Sequence, residues 1–228
     1  MNRTTINTGL YAAIICLASF IIWIISFVGI ALTSPLFFWS GLQDYVDYAT
    51  TTPQFFQYLA KSFMILFSLA YLALIMVFRE YTNDDRKLLG NLSLAFALMF
   101  ALASAIFYFV QVSAVRFAIA ESSYAGLEHF VQANPTSVLS SVNMLGWTLF
   151  LGLSSLFIYL ALRPDKLTKA IRLGLLINTV SCLSAGIGYL FQIDLITFIS
   201  INLGVGVAFI LVTISSVSYF SRLVNKNP

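Results

Sequence analysis

Charge is scarce in this chain. Only 9% of its 228 residues are Asp, Glu, Lys or Arg, against 60% hydrophobic and a mean hydropathy of +0.91. A soluble domain carries about 25% charge. So few ionic side chains cannot cover a water-facing surface, so the bilayer is the expected solvent. Histidine is scarcer still: His129 stands alone, which argues against a haem or zinc site built from several imidazoles. Cys16 and Cys182 are the only cysteines, each inside an apolar run with no C-x-x-C partner, and they read as packing residues. No cofactor is expected.

Catalytic signatures are missing as well. There is no G-x-S-x-G elbow, no H-E-x-x-H pair, no phosphate-binding G-x-x-x-x-G-K-[ST] and no mid-span carboxylate to act as a base or proton carrier. The last apolar run has no lysine for a retinal Schiff base. Enzyme, proton-pump and photoreceptor readings lose weight accordingly. The basic residues are scattered rather than gathered in a stripe, so no nucleic-acid partner is expected.

What the chain has in abundance is apolar runs of membrane length. Six are marked: 10–32, 58–78, 88–115, 137–162, 170–191 and 195–220. Each reaches the roughly 20 residues that a helix needs to cross a bilayer. The first is too long for a signal-peptide core of ~7–15 residues and reads as a retained span. The expected fold is all-α: a bundle of six transmembrane helices forming one integral membrane domain over 1–228.

Lysine and arginine set the expected orientation. Ten of the twelve fall at the termini and the second and fourth connections: Arg3, Arg79, Arg86, Lys87, Arg163, Lys166, Lys169, Arg172, Arg222 and Lys226. The opposite side has only Lys61 and Arg116. Both termini are therefore expected in the cytoplasm, in a multi-pass protein of the bacterial cytoplasmic (inner) membrane. Asp165 joins the inner acids Glu80, Asp84 and Asp85, while Asp44, Asp47, Glu121, Glu128 and Asp194 lie outside.

The first two outer connections each exceed 20 residues, and long connections in a compact bundle are usually functional or packed. In the first, Phe38, Leu42, Tyr45 and Val46 fall near one helical face and Gln43, Asp44 and Asp47 largely elsewhere, a pattern that fits an amphipathic helix in the headgroup plane. The second has similar character. Gly41-Leu42-Gln43-Asp44-Tyr45-Val46 also echoes Gly126-Leu127-Glu128-His129-Phe130-Val131, and Pro53 and Pro135 each open a span. A shift of 82 residues then aligns Lys61 with Asn143. Two readings follow. One is a duplicated unit, about 10–80 and 88–163, followed by a third hairpin at 170–220; the other is chance likeness of two interfacial segments.

Ionisable groups at membrane depth are costly and usually face a cavity or a partner. Lys61, Gln111, Arg116 and Asn143 are therefore grouped as a polar pocket open to the outside, with Trp147 covering it or packing beside it. Asp44 or Glu121 are the acids placed to pair with the two cations. The plain alternative is that Lys61 and Arg116 snorkel to the headgroups. In the last two spans, Ser184 with Gly188 and Gly204 with Ala208 have the small-residue spacing that permits close helix approach.

The leading expectation is a protein that binds or passes a small amphipathic or lipid-like ligand through that pocket. A second is a structural or regulatory subunit whose outer aromatics Phe37, Phe38 and Trp39 dock a membrane protein partner, or a homo-oligomer. The third is an interfacial enzyme using Glu121, Glu128 and His129, weakened because adjacent residues point about 100° apart on a helix.

Overall fold

In hydrocarbon the backbone must satisfy its own hydrogen bonds, so apolar runs of this length fold as helices. A computed structural model describes residues 2–163 and 169–226, and every regular element within them is helical. Asp165 and Lys166 lie outside the described residues. The elements are α1 (Arg3–Thr33), the short α2 (Leu42–Thr51), α3 (Phe55–Arg79), α4 (Asp84–Ala120), α5 (Val138–Ala161), α6 (Lys169–Leu190) and α7 (Asp194–Lys226). All except α2 are long and apolar enough to cross a membrane. Their number and order match the six apolar runs, so the chain is an all-helical, multi-pass membrane protein.

Local chemistry fixes the ends. The Asn2 side chain accepts a hydrogen bond from the Thr5 amide at 2.8 Å and caps α1, which stops at Ser34 just before Pro35. Ser137 caps α5 by accepting from the Ser140 amide at 3.3 Å.

Each spanning helix packs on its neighbours in chain order, and α7 closes back onto α1. The result is an up-and-down ring with its centre filled by aromatic side chains. Phe67 and Phe100 are completely buried, and Tyr71 and Phe209 nearly so. Below them a polar cluster ties four helices together. The Tyr71 hydroxyl donates to Ser154 Oγ (3.2 Å), Ser93 Oγ donates to the Ser154 carbonyl (2.7 Å), and Asn178 Nδ2 donates to Ser155 Oγ (2.7 Å). The hydroxyls and the amide of this cluster are thereby satisfied internally, as a bilayer demands.

The small residues of α6 and α7 do allow close approach. A Cβ built on Gly204 would collide with Ser181 Oγ, and one on Gly188 would stand 2.7 Å from Thr197 Oγ1.

The two ends of the ring differ. At the end bearing the termini, charges pair with one another: Lys87 with Asp84 (2.6 Å), Arg79 with Glu80 (2.9 Å) and Arg163 with Asp85 (3.3 Å). The Lys87 hydrogen bond and charge hold the exposed Asp84 carboxyl below its ordinary range.

At the other end lie the two long connections. The first forms α2, with Val46 buried and Gln43, Asp44 and Asp47 exposed. The second is not a like helix; it consists of turns and a single 3-10 turn, Leu127–His129, entered through Gly126 at φ 73°. That left-handed value suits glycine. The echoing segments thus have different backbones, although their last residues, Val46 and Val131, are both buried. The connections pack into one another, with Trp39, Leu42 and Tyr45 against a small core of Val115, Leu127 and Val131. They form a cap over this end of the ring.

Candidate functional site

Beneath the cap lie two adjoining cavities of about 420 and 390 Å³ that share Phe27, Ile30, Gln57, Lys61 and Gln132 as lining. The upper one is walled by Pro35, Phe37, Tyr45 and Tyr48 of the first connection. The lower one descends between the helices past Tyr108, Asn143, Trp147 and Asn202. Its floor is aromatic. Phe67 stacks on Trp147 at 6.1 Å, Phe209 meets Phe67 edge-on at 4.6 Å and Phe100 meets Trp147 edge-on at 5.2 Å. These rings separate the cavity from the Tyr71 cluster below.

Lys61 is the central feature. It sits six residues into α3, about 9 Å along the axis from Phe55, and only 8% of its surface is exposed. Among the described residues it has neither an ion pair nor a side-chain hydrogen bond, in contrast to the paired charges at the opposite end of the ring. A buried cation without a partner is unfavourable, and Lys61 lines both cavities.

Three further polar atoms share its condition. Ser34 Oγ, Asn143 Oδ1 and Trp147 Nε1 are buried without a partner in hydrogen-bonding geometry among the described residues, and all three side chains line one cavity or the other. The Tyr108 hydroxyl is in side-chain hydrogen-bonding contact with Trp147 and Asn143, short of full geometry at Trp147 Nε1 and Asn143 Oδ1. Buried polar atoms are normally satisfied, and three of the five exceptions by that geometry among the described residues border this one space, the others being Tyr81 Oη and Ser104 Oγ.

The backbone is unusual at the same level. Helices α4, α5 and α7 each contain a stretch of wider π-helical turns, at Gln111–Val115, Gly146–Phe150 and Ile199–Val205. Such bulges recur at functional sites because they re-aim side chains. Here they carry Trp147 and Asn202 to the cavity wall.

Of the residues grouped from sequence, Lys61, Asn143 and Trp147 come together in the lower cavity. Lys61 and Asn143, the positions aligned by the echo, face one space. Gln111 and Arg116 do not join them. Gln111 is buried and holds the second connection, donating through Nε2 to the Phe130 carbonyl (2.5 Å) and accepting from the Gln132 amide (3.1 Å). Arg116 is exposed, with its guanidinium 5.4 Å from the centre of the Tyr58 ring.

The expected acids stay outside too. Asp44 accepts from Ser40 Oγ (2.5 Å), Asp47 accepts from Gln43 Nε2 (2.9 Å), and Glu121 is exposed. Glu128 lies 3.7 Å from His129 on the surface of the cap. None of them pairs with Lys61 or Arg116.

Gln57, Gln132, Tyr108, Tyr45 and Tyr48 are cavity residues that sequence reasoning passed over. Gln57 carried a signal, since it precedes Lys61 by four residues and shares its helical face. Gln132 carried none, because it arrives from an irregular connection. Of the aromatics offered for docking, Phe37 and Trp39 pack against Tyr45 at 5.8 and 6.2 Å, while Phe38 remains 75% exposed.

No protein-family model matches the chain, and neither a known protein nor a solved structure shows significant similarity to it.

Proposed function

We propose that this protein binds a small amphipathic or lipid-like ligand in the cavity around Lys61. The observation that carries the reading is Lys61 itself, a cation nine-tenths buried and unpartnered among the described residues, in a space that also collects partnerless polar atoms and aromatic walls. Ligand sites are typically concave and largely apolar, with a few convergent polar groups that fix orientation. The stacked ladder of Phe20, Trp23 and Phe27 on α1, with successive centroids 5.7 Å apart, supplies an apolar wall for a tail.

The bias of lysine and arginine supports an orientation in which the termini face the cytoplasm and the cap faces outward, in a bacterial inner membrane. Interfacial aromatics such as Phe38 then lie at headgroup depth. The aromatic floor, with Phe67, Trp147, Phe100 and Phe209 in ring contact, favours binding over free passage.

Native mass spectrometry of gently extracted protein tests the reading. Wild type and Arg116→Met should retain a bound small molecule or lipid, and Lys61→Met should lose it. Bare protein in all three would overturn the reading. A stoichiometric protein chain in place of the small molecule would favour the partner-docking subunit, whose remaining support is the exposed Phe38.

A further inference from the structure

We infer that the ligand is an anionic amphiphile, a single lipid with an acidic headgroup, and that its chain enters the cavity sideways from the bilayer between α1 and α7. The inference rests on the binding reading above and adds both the charge of the ligand and its route.

Charge comes first. Among the described residues, Lys61 is the one ionic side chain lining either cavity, and no carboxylate reaches it. A zwitterionic headgroup would bring its own cation into a space that already holds one and offers no acid to receive it. A phosphate or carboxylate supplies the missing counter-charge and accepts from the indole N–H of Trp147 and from Gln57, whose side chains line the same space.

The route follows from how the ring closes. Helices α1 and α7 are in close contact at the end bearing the termini, where a Cβ on Gly9 would stand 2.7 Å from the Phe220 ring. Contact continues up to Phe20, whose ring lies 3.6 Å from a Cβ built on Gly206. Toward the cap, the π-helical segment Ile199–Val205 packs on α6 rather than on α1. From there upward, Trp23, Phe27 and Ile30 on one side and Ile201, Asn202 and Val205 on the other line the cavity instead of closing it. Phe27 is a wall of both cavities and is still 53% exposed, which places it on the rim.

The outer faces of the two helices flanking this gap are apolar. Ile24, Ile25 and Val28 on α1 and Ile199, Leu203 and Val207 on α7 are exposed, so the opening faces hydrocarbon and suits an acyl chain.

The test uses the full-length protein with Trp23→Phe and Trp39→Phe, leaving Trp147 as the single tryptophan. It is reconstituted in vesicles of phosphatidylcholine containing brominated phosphatidylglycerol or brominated phosphatidylcholine as quencher. Trp147 packs inside the ring, so quenching above the shared background reads lipid in the cavity. Brominated phosphatidylglycerol should quench at a roughly tenfold lower fraction than the zwitterionic lipid. Lys61→Met should remove that preference and Lys61→Arg keep it; should Lys61→Met not fold, the two lipids compared on the parent protein still decide.

Equal quenching by both lipids would overturn the anionic headgroup and leave amphiphile binding standing. Absence of quenching, with a bound molecule still seen by native mass spectrometry, would overturn the lipid ligand and with it the lateral route; absence of both would overturn the binding reading itself. Relief of quenching by inorganic phosphate alone would reassign the site to a free anion.

Discussion

Placing lysine inside a helical bundle is tolerated when its stem can reach water or its charge meets an acid. Lys61 has no acid beside it among the described residues, whereas Arg116, nearer the end of its helix, lies exposed across the Tyr58 ring. Two cations that look equivalent in the sequence thus have opposite surroundings. Tyr45 shows the same power of position on the cap: burial pushes its phenol up from 10.0 to about 12. The folded state holds this proton longer than the unfolded chain, so the linked stability is complete below pH 10 and falls as pH rises from 10 toward 12. Titration of tyrosinate absorbance, with Tyr45→Phe as reference, should show one phenol ionising late and the cap loosening as it does. A Tyr45 signal at the ordinary pKa would mean that the cap does not shield it.

The decisive elements are those that depart from regular helix. Three π-helical stretches lie toward the capped end of the ring, and the second connection is irregular from end to end. Gln111 links these features, since it starts the bulge in α4 and hydrogen-bonds to both Phe130 and Gln132. Gln111→Met keeps the volume but leaves a carbonyl and an amide unpaired, at a cost of about 1–3 kcal/mol. Hydrogen exchange should accelerate across 127–134 while the spanning helices keep their protection. Unchanged exchange there would show that packing of Leu127 and Val131 alone holds the cap.

At the scale of the whole molecule, the ring is asymmetric along its axis. One end is sealed by paired charges, the middle by aromatic rings and the Tyr71 cluster, and the other holds a cavity under a cap. The proposed orientation turns the cap outward, and cysteine labelling in intact cells checks it directly. Cys16 and Cys182 are buried and free, so they should stay silent. Ser123→Cys on the cap should react with a membrane-impermeant maleimide, and Asp84→Cys should react only after the cells are opened. The reverse pattern would invert the molecule and place the cavity on the cytoplasmic side.

Six spans, an all-helical fold and the face holding the long connections are legible in the sequence, because each depends on local hydropathy summed over about 20 residues. Lys61 was legible too, as a charge too deep in an apolar run to be neutral in effect. Its company was not. Whether Lys61 meets Asp44, Glu121, Gln111 or Asn143 depends on which faces of α3, α4 and α5 turn inward, and π-helical turns rotate those faces in ways that periodicity does not record. The cap depends on contacts between residues about 85 apart, Leu42 and Tyr45 against Leu127 and Val131, which local patterning read as two separate membrane-surface segments. Hydropathy determined how many helices cross and in what order; packing decided which polar groups share a cavity, because that choice is made by side chains distant in sequence meeting in one place.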